Sequence, residues 1–531
     1  MKRILAMTLL LALLLCGCGS NNGVYEPTGN GLHQDVTTAP PTKPSQTQGE
    51  QTMALGYYPE KSMNPYTATE VSHRLLFSLV YQGLFAVDSR YQVSPVLCDR
   101  YSVSKDRRTY VFYPAAATFA DGSSLTAADV AASLEAARTE TVYSGRFTQI
   151  NTIRVTEDGG VEVLLKTPYE NLPMLLDVPI VKAGEVAAER PMGTGPYAYA
   201  EGTTGLELKR RTDWWCRASL IVTAPVVSLV EVDSPATLRD DFEHNDISIV
   251  CTDLGSDTYV DYRCDYELWD VESGIFLYLA CNENSAIFAN KDLRVALTYA
   301  IDRDALVSQH YRGFAMSAYL PASPESPYYD KTLAEQYGYA PDRLAAAVEN
   351  AQLEAMEITL LVNSADSRRV KVARTIGKML EGYGFTVTIS DLSGTSYTNA
   401  LKKGNYDLHL GQTKLSANMD LSAFFDPDGA LSYGGLADTA NFALAQGVLE
   451  NEGNRSYLYK RLMGSAMLIP LLFRSYAIYV QRGLFEDMTP AKDAIFYYDL
   501  GRTMESAQMV QESQKKGLLQ NTATGPKTMQ I

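Results

Sequence analysis

The residues of this chain that could carry out chemistry are few, and their spacing does not complete a catalytic site. Ser102 and Lys105 have the S-x-x-K spacing in which a lysine activates a serine nucleophile. No SDN, KTG or G-x-S-x-G motif accompanies them, and the segment that holds them predicts a hairpin rather than the start of a helix. We therefore expect neither a hydrolase nor another enzyme, and we expect no cofactor.

The histidines and cysteines do not have the spacing of a metal site. No HExxH or similar ligand pair occurs, so we expect each histidine to be structural or exposed, and we expect no bound metal. The five histidines are His33, His73, His244, His310 and His409. Among the cysteines, Cys251 and Cys264 could form a disulfide, which the sequence leaves open.

Two further groups of residues could suggest a ligand, but each has a simpler interpretation. Residues 192–197 (MGTGPY) do not form a phosphate loop, because Pro196 and Tyr197 occupy the positions where a helix would have to offer its amides. Trp214 and Trp215 could stack on a ligand, but we favour packing in a core.

The first 18 residues indicate secretion and lipidation. A basic pair at residues 2–3 precedes an apolar stretch at residues 4–15, which has the length of a signal peptide and is too short to span a bilayer. The LCGC sequence that follows resembles the bacterial lipobox, so we expect cleavage before Cys18 and attachment of lipid to its sulfur. An ordinary secretion signal and a lipobox at Cys16 are the alternatives.

Composition indicates a globular protein outside the nucleic-acid-binding classes. The chain has 531 residues, of which 46% are hydrophobic and 20% are charged, and this length predicts two or more lobes. The formal net charge of −16 argues against nucleic acid and against adsorption to anionic lipid. Residues 19–50 are polar and rich in Gly, Pro, Thr and Asn, which predicts a disordered tether that spans roughly 30 Å.

One stretch, residues 274–313, organises the rest of the chain. It begins with an almost wholly apolar strand at residues 275–281, which is typical of burial on both faces. A helix follows with apolar residues at helical spacing, and Asp302 can cap a second helix. We interpret residues 276–282 as the passage of the chain from one lobe to another, and residues 476–481 as the return.

The order of motifs along the chain resembles a known family. The motifs are Asn64-Pro65, Tyr81-Gln82-Gly83-Leu84, Pro95-Val96-Leu97, Ser104-Lys105-Asp106, Tyr110-Val111-Phe112, Phe119-Ala120-Asp121-Gly122, the Gly193-Thr194-Gly195 turn and Ala300-Ile301-Asp302-Arg303. In order and spacing they resemble the extracellular solute-binding proteins of the oligopeptide, dipeptide and nickel class (family 5), which are the binding components of ABC importers. One departure is the segment between strand and Phe119, where the family usually has a basic residue and a glycine.

The resemblance implies an α/β fold of the type II periplasmic-binding-protein class. This is a two-lobed clamshell of the large class, with an extra subdomain in lobe 1 and two hinge strands. The expected division is a signal peptide at 1–17, a tether at 18–50, lobe 1 at 51–275 and 482–531 with a subdomain inserted at about 75–190, and lobe 2 at 276–481. No stretch after the signal peptide is apolar and long enough to predict a membrane span.

The second lobe has a β-α-β-α-β pattern, which predicts a mostly parallel sheet. Its strands are expected at 357–362, 385–389 and 406–410, and its helices at 367–382 and 397–402. Ligands of such sheets lie beyond the carboxyl ends of the strands. Residues 411–425 are therefore expected at the cleft.

The resemblance also bears on the residues that would hold the solute. In peptide-binding members of the family, the loop after this strand carries an aromatic residue and then an Asp that pairs with the peptide α-amino group. Here Gln412 stands at the aromatic position and Leu415 near the Asp, whereas Asp420 resembles a later Asp of the motif. The usual amine anchor is therefore absent, unless Asp420 takes its place.

Further candidates for the cleft have an ordinary alternative. Tyr57, Tyr143 and Tyr433 could line it or could simply pack in a core, and Arg146 could face a ligand carboxylate or be a solvated surface residue. Asn64, in the Asn-Pro motif, completes the set of predicted substrate-binding residues.

The function implied by the resemblance is that of a lipid-anchored substrate-binding protein of an ABC importer, facing outside the cell membrane. Two lobes close on a solute, and the ligand contacts stabilise the closed state without any reaction. We expect a peptide as cargo, with chelated nickel, a sugar or an opine-like solute as alternatives, and a solute-sensing receptor as the alternative role. The expected partners are the solute, the ABC permease subunits and the membrane through the lipid; we expect a monomer and no nucleic acid.

Overall fold

The computed structural model describes residues 53–139, 141–216, 224–253 and 262–484, together with the backbone of one short strand nearer the N-terminus. The strands are β1 (Gln34–Val36), β2 (Met53–Tyr57), β3 (Phe85–Val87), β4 (Val93–Pro95), β5 (Cys98–Val103), β6 (Thr109–Pro114), β7 (Ile150–Val155), β8 (Val161–Leu165), β9 (Tyr197–Glu201), β10 (Leu206–Arg210), β11 (Val226–Glu231), β12 (Ile249–Thr252), β13 (Tyr266–Cys281), β14 (Ala315–Ser317), β15 (Glu357–Asn363), β16 (Thr386–Leu392), β17 (Leu408–Lys414) and β18 (Leu468–Gln481). The predicted signal peptide, Cys18 and residues 485–531 lie outside the described residues.

The helices lie between these strands. They are α1 (His73–Val80), α2 (Ala127–Arg138), α3 (Pro235–Glu243), α4 (Lys291–Ala300), α5 (Arg303–Tyr311), α6 (Lys331–Ala334), α7 (Asp342–Ala351), α8 (Ser367–Glu381), α9 (Gly394–Lys403), α10 (Ser422–Phe425), α11 (Thr439–Glu450) and α12 (Arg455–Ser465). Within the described ranges, no helix combines the length and the apolar composition that crossing a membrane requires.

A twelve-stranded sheet runs through the molecule, and two long strands, β13 and β18, form its middle. The strand order is β16-β15-β17-β13-β18-β12-β2-β11-β10-β9, with β1 paired to β13 and β14 paired to β18. We call the part built on β2 and β9–β12 lobe 1, and the part built on β14–β17 lobe 2. The segment Gln34–Val36 lies inside the predicted tether and pairs with β13.

Strands β13 and β18 belong to both lobes. The first half of β13 lies beside the second half of β18, which pairs with β12 of lobe 1. The second half of β13 pairs with β17 of lobe 2 over residues 275–281. The ladder between β13 and β18 shifts register between Glu272 and Phe276, where the chain passes from one lobe to the other. The expected two-lobed α/β fold with two connecting strands is confirmed, whereas the lobe boundaries stay a prediction.

Lobe 2 contains the predicted β-α-β-α-β unit. Strand β15 pairs in parallel with β16 and with β17, and α8 and α9 connect them. Strand β17 pairs antiparallel with β13, so the complete sheet is mixed rather than mostly parallel. Strand β17 ends at Lys414, four residues beyond the predicted end, so its carboxyl end lies closer to the cleft than predicted.

A second sheet forms the inserted subdomain, which we define as β5–β8 with α2, the loops between them and residues 166–177, which follow β8. Its strands follow the antiparallel order β5-β6-β8-β7, and β5 and β6 form the predicted hairpin. Helix α2 begins directly after its cap residue, Thr126. Thr126 Oγ1 accepts a hydrogen bond from the amide of Asp129, and the Asp129 carboxylate accepts one from the amide of Thr126 at 2.9 Å. This reciprocal capping box satisfies two amides at the helix start.

The glycine turn at residues 192–197 packs against the end of α1. The amide of Gly195 donates to the carbonyl of Val80 at 2.9 Å, and a Cβ placed on Gly193 would lie 2.1 Å from the same oxygen. Trp214 is buried and donates from Nε1 to the carbonyl of Thr194 at 3.0 Å. The glycines therefore allow two stretches of backbone to pack closely. The buried side chain of Trp214, which follows them, is part of the same packing.

The five described cysteines are all free thiols. Cys251 is buried in β12, and burial raises the pKa of the Cys264 thiol to about 11. The disulfide between these two residues that the sequence left open is therefore absent from the structure.

Replacement of Gly193 by alanine should destabilise the fold by about 2 kcal/mol or more, because the new methyl group would collide with the Val80 carbonyl and the backbone would have to move. The free energy of unfolding in urea measures the loss. The matched control is Gly184→Ala, since a Cβ at Gly184 meets no heavy atom within 4 Å and should change stability by less than about 0.5 kcal/mol. Equal stability of the two variants would contradict the packing explanation.

Candidate binding site

A cavity of about 620 Å³ lies between the inserted subdomain and lobe 2. The subdomain contributes residues 142–149 together with Lys166 and Thr167, and lobe 2 contributes the end of β17 and the segment that follows it, up to and including α10. The volume is within the range of small-molecule sites. The predicted position at the carboxyl end of β17 agrees with the segment that lines the cavity.

Arg146 lies in the cavity wall, but it is neither a solvated surface residue nor a free anchor. It forms an ion pair with Asp177, and their side chains are only 8% and 6% exposed. Its guanidinium also lies 5.1 Å from the ring centroid of Tyr143, which itself lines the cavity and packs edge-on against Tyr66. Because the carboxylate that Arg146 faces belongs to the protein, its first task is to hold this wall together.

Asp420 presents a carboxylate to the cavity. One of its oxygens accepts hydrogen bonds from the amide of Ser422 at 2.8 Å and from its hydroxyl at 2.6 Å. Burial raises the pKa of Asp420, while the bonds from Ser422 and the nearby charge of Arg455 partly oppose the rise. A carboxylate that is partly shielded from water in this way favours a cation brought in by a ligand.

The cavity also contains two lysines on opposite sides. Lys166 follows β8 of the inserted subdomain and Lys414 ends β17 of lobe 2, and both side chains are exposed. Together with Asp420 they give the cavity charges of both signs.

Four of the predicted binding residues do not line this cavity. Gln412 accepts a hydrogen bond from Arg474 at 2.9 Å where β18 passes between the lobes. Tyr57 donates to Glu231 at 2.9 Å. Asn64 is buried and donates to the carbonyls of Val186 and Ala188. Tyr433 packs beside a small apolar cluster of lobe 2. The structure thus brings together Tyr143, Arg146 and Asp420 from the predicted set.

Ser422 and Gln446 are cavity residues that the sequence did not reveal. Gln446 lies on α11, a helix that begins at the cap residue Asp438, whose carboxylate accepts from the amide of Asn441 at 2.7 Å. The cap and the helix could have been predicted from local sequence. The position of Gln446 beside Ser422 could not, because it depends on packing between segments more than twenty residues apart.

The described histidines have structural partners. His409 accepts a hydrogen bond at Nε2 from the Tyr397 hydroxyl at 2.7 Å, and burial lowers its pKa to about 3, so the ring is neutral. Burial also lowers the pKa of His73, which accepts from the amide of Tyr58. In the part of the chain that the structure describes, no three His, Cys, Asp or Glu side chains are grouped as metal ligands.

The sequence model of the bacterial extracellular solute-binding proteins, family 5, matches residues 92–432, which is more than half of the chain. The chain belongs to this family. A curated relative of this solute-binding protein is the glutathione-binding protein GsiB of Pectobacterium atrosepticum, 28% identical over 278 residues that cover 48% of this chain and 53% of the relative. The chain thus spans about half the length of the curated relatives that it matches.

Solved structures support the fold of this solute-binding protein. NikA from Brucella suis in complex with Fe(III)-EDTA superposes with a TM-score of 0.67 at 19% identity, covering 84% of this chain and 99% of NikA. The oligopeptide-binding protein AppA from Bacillus subtilis in complex with a nonapeptide superposes with a TM-score of 0.60 at 16% identity, covering 84% of this chain and 98% of AppA. At these identities the likeness establishes the two-lobed fold alone.

Replacement of Arg146 by alanine should destabilise the protein by about 3 kcal/mol, because it leaves the Asp177 carboxylate buried without its arginine. Urea unfolding measures the loss. The control is Arg154→Ala in the same subdomain, whose side chain is 69% exposed in its pair with Glu162 and should cost less than about 1 kcal/mol. Since the ion pair itself is the cause, Arg146→Met combined with Asp177→Leu should recover most of the loss; equal losses in the single and double variants would refute the explanation.

Proposed function

We propose that this protein captures a short peptide between its lobes and delivers it to the permease of an ABC importer. The observation that carries the proposal is the carboxylate of Asp420, which lies in a partly open cavity where the two lobes meet. A peptide ammonium removed from water needs a fixed counter-charge of this kind. Asp420 therefore takes the place of the anchor that the family has near Leu415.

The size of the cavity supports a short cargo. At roughly 30 Å³ for each water-sized group, 620 Å³ has room for about 20 such groups, which corresponds to a di- or tripeptide. A longer peptide would extend beyond the cavity.

The charges of the cavity suit a zwitterion. The ammonium of the peptide would lie at Asp420, and its carboxylate would lie near Lys166 of the inserted subdomain and Lys414 of lobe 2. A ligand held from both sides contacts the two lobes at once only when they are close together. Its binding free energy therefore stabilises the closed state, which the permease would recognise.

A non-peptide solute is the second candidate. Leu415, which is 5% exposed, occupies the position of the usual amine anchor in the family, so the recognised group need not be an amine. A chelated nickel ion, a sugar or an opine-like solute would then be the cargo, for import or for sensing.

Replacement of Asp420 by asparagine should weaken the binding of the tripeptide trialanine by at least about 30-fold, because one member of a charge pair is lost in a partly desolvated site. Isothermal titration calorimetry measures the affinity. For the wild-type protein, affinity should fall as the pH is lowered through the raised pKa of Asp420, because the protonated carboxyl no longer attracts the ammonium. The Asp420→Asn variant should show no such decline.

Two controls separate the anchor from the cargo. Asp428→Asn removes an exposed acid from the same wall and should leave the affinity nearly unchanged. N-acetyl-trialanine, which lacks the ammonium, should bind the wild type as weakly as trialanine binds the Asp420→Asn variant; equal binding of both peptides to the wild type would exclude the anchor. If thermal shifts appear with a nickel chelate, Fe(III)-EDTA or a sugar but with no di- or tripeptide, glutathione included, the peptide cargo is wrong.

We also propose that the protein is anchored to the outer face of the cell membrane by lipid on Cys18. Replacement of Cys18 by alanine should abolish incorporation of radiolabelled palmitate and shift the protein out of the membrane fraction. Cys16→Ala is the matched control and should retain both label and location. Loss of label in the Cys16→Ala variant alone would place the lipidation site at Cys16 instead.

A further inference from the structure

A chain of hydrogen bonds connects the inserted subdomain to the ligand-facing carboxylate of lobe 2. The hydroxyl of Thr167 donates to Gln446 Oε1 at 3.1 Å across the gap between the lobes. Gln446 Nε2 donates to Ser422 Oγ at 2.9 Å, and the Ser422 hydroxyl donates to Asp420 at 2.6 Å. All four residues line the cavity.

The hydrogen bonds all run in one direction, because the donor or acceptor role of each group fixes the role of the next. Because the Ser422 hydroxyl donates its single proton to Asp420, its oxygen must accept, and the amide nitrogen of Gln446 supplies that bond. The carbonyl oxygen of Gln446 then faces Thr167. A glutamine suits this position because its side chain carries both a donor and an acceptor.

Thr167 has a second possible acceptor within its own lobe. Its hydroxyl oxygen lies 3.0 Å from Oε1 of Gln149, which also lines the cavity. Since the hydroxyl has one proton, it can serve only one of the two glutamines at a time. The bond to Gln149 is available whether or not the lobes meet, whereas the bond to Gln446 exists only when they do.

The other hydrogen bonds described between the inserted subdomain and α11 or the turn after it do not continue to the cavity. Arg107 donates to the carbonyl of Glu450 at 3.3 Å, and Asn171 donates to the Glu452 carboxylate at 2.5 Å. Both bonds favour lobe closure, but neither partner lines the cavity. Gln446 is different because it joins a contact between the lobes to a residue that faces the ligand.

We propose that Gln446 is a positioning residue that couples closure of the lobes to the orientation of Asp420. This inference rests on the proposed function, in which Asp420 binds the cargo. When the lobes close, Thr167 fixes the Gln446 amide, the amide fixes the Ser422 hydroxyl, and the hydroxyl holds one carboxylate oxygen. The second oxygen is then set for the cation of the cargo. When the lobes separate, the hydrogen bond between Thr167 and Gln446 is lost, and Asp420 is held less firmly.

The first test needs no cargo. Hydrogen exchange is measured for the full protein and for the variants Thr167→Val, Gln446→Leu and Asn171→Ala. The first two should speed exchange about threefold or more in residues 420–425, where the Ser422 amide donates to Asp420, since both substitutions interrupt the chain of hydrogen bonds. Asn171→Ala weakens closure without touching the chain and should leave this segment unchanged. Equal acceleration in all three variants, or none in any, would overturn the coupling.

The second test is a double-mutant cycle on the affinity for trialanine. Thr167→Val and Asp420→Asn lie on different lobes, yet their effects should deviate from additivity by about threefold or more, whereas Asn171→Ala and Asp420→Asn should add. Additive effects in both cycles would refute the proposal. If trialanine fails to bind the wild type, the proposed cargo fails, and the exchange measurement still decides whether the coupling exists.

Discussion

The fold depends on the pairing of β13 with β18, because both strands are shared by the two lobes. Where they pass between the lobes, Arg474 is buried, with 4% of its side chain exposed. Its guanidinium pairs with Asp253, which follows β12 of lobe 1, and donates to Gln412 on β17 of lobe 2. Loss of the Asp253 carboxylate would leave the buried charge of Arg474 without this counter-charge, at a cost of about 3 kcal/mol or more. Arg474 therefore links the part of the sheet in lobe 1 to the part in lobe 2.

The same passage brings the hinge and the cavity into contact. Gly274 has φ of 71°, a left-handed conformation that glycine adopts without a Cβ penalty, and it lies within the register shift of β13. Its carbonyl accepts a hydrogen bond at 2.9 Å from Leu415, the residue that begins the cavity wall after β17. Next to it, Glu272 accepts from Tyr91, in the turn between β3 and β4, at 2.6 Å and from Ser323, after β14, at 2.7 Å. A rotation at Gly274 therefore moves the cavity wall directly.

Local signals explain which elements could be predicted from the sequence. Helices α2 and α5 begin at local signals, because their caps, Thr126 and Asp302, accept hydrogen bonds from amides three positions away. Strand β13 was predicted only from residue 275, since Asp270 and Glu272 interrupt the apolar pattern of its first half. Both acids are nevertheless buried. Glu272 accepts hydrogen bonds from Tyr91 and Ser323, and because these residues lie in distant segments, the local sequence pattern does not reveal them. The same limit on prediction from sequence applies at the candidate site. There the partner of Arg146 lies 31 residues away, and Gln446 accepts a hydrogen bond from Thr167 across the gap between the lobes.

Charge compensation distinguishes the cavity from the rest of the interior. Arg303 is fully buried, and it is surrounded by carbonyl oxygens, including those of Ala318 and Pro470 at 3.0 and 2.9 Å; burial lowers its pKa only to about 10. Four carbonyl oxygens of the protein hold Nε and Nη1 of Arg303, whereas its buried Nη2 has no hydrogen-bond partner within the described residues. For Asp420, the hydrogen bonds within the described residues reach only one of the two carboxylate oxygens. In the proposed function, the cation of the cargo would complete this compensation, and closure of the lobes would strengthen the interaction by excluding water. The proposal thus derives both the choice of cargo and the closure of the lobes from one partly buried carboxylate.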